Sequence, residues 1–125
     1  MQLMPATAKW IAKKSGVRNY RKKLVSQVGT NLMLGTYYLE YVLTLYDNKS
    51  LLASSAYNAG PSRAKKWQGE ELLEGAIYAE TIPFKETRNY VKKVMSNSMY
   101  YASIFGHKAR TLKDRLSIIE PRSNK

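Results

Sequence analysis

Apolar positions along this chain recur at three- and four-residue steps, as they do in helices that bury one face. Ala8, Ile11 and Ala12 fall on one side of a segment from Pro5 to Ser15. Pro5 suits a first helical turn, where its missing N–H is not needed, and Gly16 stops the helix. Leu32, Gly35, Leu39, Val42 and Tyr46 repeat the pattern over a longer segment from Thr30 or Asn31 to Tyr46, ended by Asp47-Asn48. This helix is expected to be the most buried, with Gly35 at a close helix crossing because it has no side chain to hold backbones apart. A short helix from Ser50 to Tyr57, the turn Asn58-Ala59-Gly60, and another helix from Pro61 to Trp67 follow. The last long helix is expected over Lys85 to Phe105, with Tyr90, Val94, Tyr101 and Phe105 toward the core and Gly106 as its stop. Ile82-Pro83-Phe84 leads into it extended, since the residue before a proline is pushed out of helical space. Val17 to Val28 reads as a basic loop, Gln68 to Glu80 as a loop with one helical turn, and Lys108 to Lys125 as a mixed tail that either docks or frays. No strand pattern competes, so the sequence predicts an all-α fold of about five helices.

At 125 residues the chain is long enough for one core, which places a domain at residues 1–107 and a basic tail at 108–125. Its apolar fraction is 44%, but no run approaches the roughly 18 to 20 apolar residues of a membrane span. The absence of Cys excludes disulfides, thiolate metal sites and a Cys nucleophile. His107 is the lone histidine and cannot build a His-based metal site; beside Gly106, near a helix end, it reads as an exposed last-turn residue, not a triad member. No metal site and no cofactor are expected. The 21 Lys and Arg against 9 Asp and Glu give a formal charge of +12, which points to an anionic partner: nucleic acid, an acidic membrane surface or an acidic cell-wall polymer.

Three stretches narrow the choice. They are Met1-Gln2-Leu3-Met4-Pro5-Ala6-Thr7-Ala8, Ala56-Tyr57-Asn58-Ala59-Gly60-Pro61, and Glu80-Thr81-Ile82-Pro83-Phe84-Lys85-Glu86-Thr87-Arg88-Asn89-Tyr90-Val91. In this order, with "NLMLGTYYLEYVL" between the first two, they closely resemble the soluble lytic transglycosylase catalytic domain, a lysozyme-like helical fold related to goose-type lysozyme. The resemblance covers roughly Met1 to Phe105. It implies cleavage of the β-1,4 bond between N-acetylmuramic acid and N-acetylglucosamine in peptidoglycan, by attack of the muramyl 6-hydroxyl on its own anomeric carbon. The product is a 1,6-anhydro end. A typical glycosidase needs two carboxylates, one as acid and one as nucleophile or water-activating base. A nucleophile carried by the substrate removes the need for the second, leaving one acid/base carboxyl and groups that orient the sugar.

In the resembling family a Glu-Ser pair at the end of a preceding helix supplies that acid. The resemblance therefore implies a domain lacking its first helix, with no catalytic acid in this chain and the Glu expected upstream of Met1. The substrate-binding residues it implies are Gln2, Met4, Ala56, Tyr57, Asn58, Glu86 and Tyr90. An aromatic ring gives Tyr57 a face for a pyranose, and the Asn58 amide offers a donor and an acceptor to an acetamido group. Glu86 also suits the first turn of a helix, where its charge complements the dipole, and Tyr90 reads equally as a core tyrosine. Glu80 reads as a structural partner of Arg88 or Lys92. The implied partner is the peptidoglycan glycan strand, in the periplasm or cell envelope, although no signal peptide is visible. Self-association through the face of the missing helix is a further expectation.

Two other readings compete. One is a non-catalytic peptidoglycan-binding module that keeps the sugar groove. The other is a nucleic-acid-binding domain using Arg18-Asn19-Tyr20-Arg21-Lys22-Lys23, which is disfavoured because no helix-turn-helix pattern or outward recognition helix accompanies that patch.

Overall fold

A computed structural model describes residues 3–108 and 110–123 and divides the chain into two compact units, residues 1–41 and 42–125. In the first unit, helix α1 spans Pro5–Lys14, with Met4 extended ahead of it and the Met4 carbonyl accepting from the Ala8 N–H at 2.9 Å. Ala8, Ile11 and Ala12 are fully buried, the face expected from their spacing. Lys13 and Lys14 occupy the last turn, where cations complement the helix dipole. The Lys14 ammonium lies 5.0 Å from the Trp10 ring and 4.4 Å from the Tyr41 ring, and those two rings meet edge to face. Part of the expected basic loop is a tight 3-10 turn over Lys22–Ser26.

Helix α2, Val28–Leu45, begins in the first unit and ends in the second, starting earlier than Thr30. Leu34, Tyr38 and Val42 are buried, as is Gly35, whereas Leu32 is half exposed at 51%. The reason is composition: apolar residues surround nearly the whole helix, so several stripes fit the period and spacing alone does not select one.

The second unit contains α3 (Ser50–Ala59), α4 (Pro61–Trp67), β1 (Leu73–Glu74), α5 (Gly75–Thr81), α6 (Lys85–Ile104), α7 (Leu112–Leu116) and β2 (Ile118–Ile119). Seven helices are thus described, more than the five expected. The deepest is α3, not α2: every residue from Leu51 to Ala56 is buried. Ala53, Ser54, Ser55 and Ala56 are small enough for neighbours to approach on all sides, and α4 and α6 pack on α3. The buried hydroxyls cost little because Ser54 donates to the Ser50 carbonyl at 2.7 Å and Ser55 to the Leu51 carbonyl at 3.1 Å. Gly60, at φ +95° and ψ 149°, adopts a conformation open essentially to glycine alone, and so α3 breaks sharply into α4.

The fold is mostly helical, as expected, and the strands add a short ladder to it. Leu73 pairs with Ile119 and Glu74 with Ile118, antiparallel; two-residue strands are too short to show alternation in sequence. They also show that the tail docks. Ile119 is fully buried in a core with Leu51, Leu52, Tyr78, Ile82, Val91 and Met95, a burial worth about 1.5–3 kcal/mol for such a side chain. Gly75 permits this closure: a Cβ there would lie 2.1 Å from the Leu116 carbonyl oxygen, and the Gly75 N–H donates to the Ser117 carbonyl at 2.9 Å. Lys49 donates to the Ile118 carbonyl at 2.8 Å. Burial raises the pKa of the enclosed Tyr78 phenol, with the Ser55 hydroxyl beside it opposing the shift.

On α6 the buried residues are Thr87, Val91, Met95 and Ala102. The expected stripe is therefore misplaced: Tyr90 and Val94 are half buried, while Tyr101 and Phe105 are 59% and 69% exposed.

Candidate functional site

Asn58 lies in the last turn of α3, held there because Gly60 ends the helix two residues on, with the Gly60 N–H donating to the Ala56 carbonyl at 2.8 Å. Its Oδ1 accepts a hydrogen bond of 2.7 Å from Thr87 Oγ1. Thr87 is 2% exposed and sits in the first turn of α6. One side-chain contact thus joins the second and third sequence motifs, which are 29 residues apart.

The start of α6 is fixed by the extended segment before it. Ile82 is fully buried, and Phe84 caps the helix at φ −80° and ψ 114°. The Phe84 ring meets Trp67 edge to face at 5.4 Å, and the Arg63 guanidinium stacks 4.9 Å from its centre. Arg63 also donates to the Ala59 carbonyl at 3.4 Å, so α4 braces both the end of α3 and the approach to α6.

Glu86 is exposed in the first turn of α6, and Tyr90 stands one turn further along, half buried against the core cluster. Burial raises the Tyr90 pKa above the ordinary phenol value of 10.0, so its hydroxyl keeps its proton at neutral pH. Tyr57 is half buried, and Ala56 is fully buried, its side chain being part of the helix packing. Met4, in the first unit, is 74% exposed. Gln2 lies outside the described residues. Thr87 was not singled out by sequence reasoning; its signal is the four-residue spacing to Val91 and Met95, which puts a polar residue on the buried face of α6.

All nine carboxylates are exposed. Glu80 pairs with Lys92, the structural role expected of it, while Glu120 pairs with Lys49 at 3.3 Å and Glu70 with Arg122 at 3.7 Å. The Thr111 hydroxyl and backbone N–H hold the Asp114 carboxyl below its ordinary pKa. A separate open cleft of about 360 Å³, bordered by Tyr46, Lys49, Pro61, Lys65, Gln68 and Glu120, includes none of the sequence-predicted site residues. Among the described residues no group of three His, Cys, Asp or Glu could hold a metal ion, and no helix is long and apolar enough to cross a membrane.

Comparison with known proteins places these features. A transglycosylase SLT domain profile matches residues 1–76, and a profile for the soluble lytic transglycosylase helical domain matches residues 81–109. The soluble lytic murein transglycosylase of Salmonella typhimurium is 38% identical over 117 residues, covering 91% of this chain and 18% of the relative. That of Escherichia coli K12 is 38% identical over 111 residues, covering 86% and 17%. The chain thus spans under a fifth of the length of these relatives. Among solved structures, an inactive Glu-to-Gln mutant of the lytic transglycosylase Slt from Pseudomonas aeruginosa superposes with a TM-score of 0.84 at 34% identity, covering 96% of this chain and 20% of that one. The 70 kDa soluble lytic transglycosylase of Escherichia coli gives 0.79 at 35% identity, covering 94% and 19%.

Proposed function

From the premise that this chain belongs to the SLT lytic transglycosylase family, we propose that its Tyr57, Asn58, Glu86 and Tyr90 bind the glycan strand of peptidoglycan across the bond between N-acetylmuramic acid and N-acetylglucosamine. The Thr87 to Asn58 hydrogen bond carries this reading, because it draws together the two distant motifs whose residue types suit an acetamido sugar. A cell-envelope location follows from the same substrate. The reaction is intramolecular: a carboxylic acid gives its proton to the glycosidic oxygen, the muramyl 6-hydroxyl closes on C1, and the hydroxyl's proton passes to the carboxylate. The 1,6-anhydro product forms with no water consumed.

None of the nine carboxylates in this chain suits the role of that acid. A general acid must stay protonated near neutral pH, which burial in apolar surroundings achieves, and all nine carboxylates here are exposed. Glu86 is exposed in the first turn of α6. The Pseudomonas aeruginosa relative is inactive as a single Glu-to-Gln mutant, consistent with dependence on one such group.

Incubating the chain with purified peptidoglycan and analysing the digest by mass spectrometry tests both parts. The expected result is glycan binding without 1,6-anhydromuropeptides, with Asn58→Ala weakening binding about five- to tenfold. Anhydro products that disappear in Glu86→Gln would show that Glu86 is the acid after all.

A further inference from the structure

We propose that Thr87 is a positioning residue that fixes the Asn58 amide so that the groove offers a hydrogen-bond donor, which makes the site selective for N-acetylated over de-N-acetylated sugars. This rests on the glycan-binding reading above. Asn58 Oδ1 is committed to the Thr87 hydroxyl at 2.7 Å, and among the described residues its Nδ2 has no hydrogen-bond partner. Asn58 is half buried, yet Nδ2 is not enclosed, so the amide's free N–H groups reach solvent while its acceptor is turned inward. Thr87 is 2% exposed and belongs to the helix that also buries Val91 and Met95, so its hydroxyl is held by the core.

The chemistry of recognition follows from this polarity. Sugar hydroxyls both donate and accept, and so an amide in either orientation can satisfy them. The acetamido carbonyl only accepts, and it matches a fixed N–H donor. A 2-ammonium group only donates, and it opposes the same N–H. An Asn free to flip would present its carbonyl to the ammonium instead; here a flip would turn Nδ2 toward the Thr87 oxygen and leave the buried Thr87 O–H without an acceptor among the described residues, which disfavours it.

The test titrates the chain with the N-acetylglucosamine tetramer and its de-N-acetylated counterpart, following the Asn58 side-chain amide by NMR. Thr87→Val keeps the shape and removes the hydroxyl, and is expected to lower the preference for the acetylated tetramer about five- to tenfold; Thr87→Ser should keep it within about twofold. Neither substitution alters charge, so long-range repulsion of the cationic tetramer cancels from the comparison. Asn58→Asp retains an acceptor for Thr87 but replaces the donor, and should shift the preference toward the de-N-acetylated sugar, which keeps the proposal testable if Thr87→Val fails to fold. An unchanged preference in Thr87→Val, or in Asn58→Asp, overturns the proposal. Failure of the wild-type chain to bind either tetramer defeats the glycan reading instead. The positioning role is then decided without ligand: shifted Asn58 amide signals with a lower side-chain order parameter in Thr87→Val support it, and identical signals and order overturn it.

Discussion

Over its first half α6 buries Thr87, Val91 and Met95 at four-residue steps, whereas near its C-terminal end Tyr100, Tyr101, Ile104 and Phe105 stand 68%, 59%, 73% and 69% exposed. The first half packs on α3, whose small residues allow close approach. Beyond Met95 the helix has one buried residue, Ala102, and a polar tie from Arg115 Nη1 on the α7 side to Ser98 Oγ at 3.3 Å. Tyr101 and Phe105 stack on each other at 6.3 Å and not on the core. The larger apolar side chains are thus at the exposed end and the smaller ones at the buried end. What decides burial is the neighbour's shape, and the candidate site is built where that fit is tight.

The strongest challenge to this contrast is truncation at each end. Met95→Ala, at 3% exposure, should cost about 2–5 kcal/mol, because the removed side chain leaves a cavity in packed surroundings. Ile104→Ser and Phe105→Ser should each stay within about 0.5 kcal/mol. Urea denaturation followed by circular dichroism measures all three, and equal losses at the two ends would abolish the distinction drawn here.

The same contrast shows what the sequence could reveal. On α1 the face of Ala8, Ile11 and Ala12 was legible because polar and basic residues, Lys9, Lys13 and Lys14, mark the other side. On α6 the aromatic residues drew the expected stripe toward Tyr101 and Phe105, since a stripe of large rings fits the helical period as well as Thr87, Val91 and Met95 do. Periodicity identifies candidate faces; the partner helix selects among them. The β1 and β2 pairing was illegible for another reason, because its specificity lies in contacts between Leu73 and Ile119, 46 residues apart by their numbers, with no local pattern in either strand. Of the site, Tyr57, Asn58, Glu86 and Tyr90 were named from motifs, but the hydroxyl that joins two of the elements belongs to Thr87, whose residue type gives no warning of its partner.

A milder substitution sharpens the role of the tail. Ile119 belongs to the same core cluster as Val91 and Met95, so Ile119→Val should cost about 0.5–1.5 kcal/mol even though it lies far along the chain from α6. Ile118→Val, at a neighbour that is 56% exposed, should be close to neutral. If the two substitutions were equivalent, the tail would not be docked on the buried half of the core as described.

The smallest expected effect is a pH dependence confined to the tail. Thr111 and Asp114 cap α7 reciprocally: the Asp114 N–H donates to Thr111 Oγ1 at 3.2 Å, and the Thr111 N–H donates to Asp114 Oδ2 at 3.2 Å. The hydrogen bonds to the carboxylate lower the Asp114 pKa from its ordinary 3.8, with the Thr111 side chain the first cause and its backbone the second. A lowered folded-state pKa means the ionised group stabilises α7 fully above 3.8 and loses that contribution as the pH falls through the folded value. Relative to intrinsic exchange, which itself slows on acidification, the protection of the α7 amides should therefore fall through that window, while that of Val91 and Met95 shows no corresponding change. Asp114→Asn should remove most of the pH dependence, because the side chain no longer titrates. Should the α6 core and α7 respond together in wild type and variant alike, the two ends of α6 would be opening as one cooperative unit, and the contrast in packing would have no counterpart in local stability.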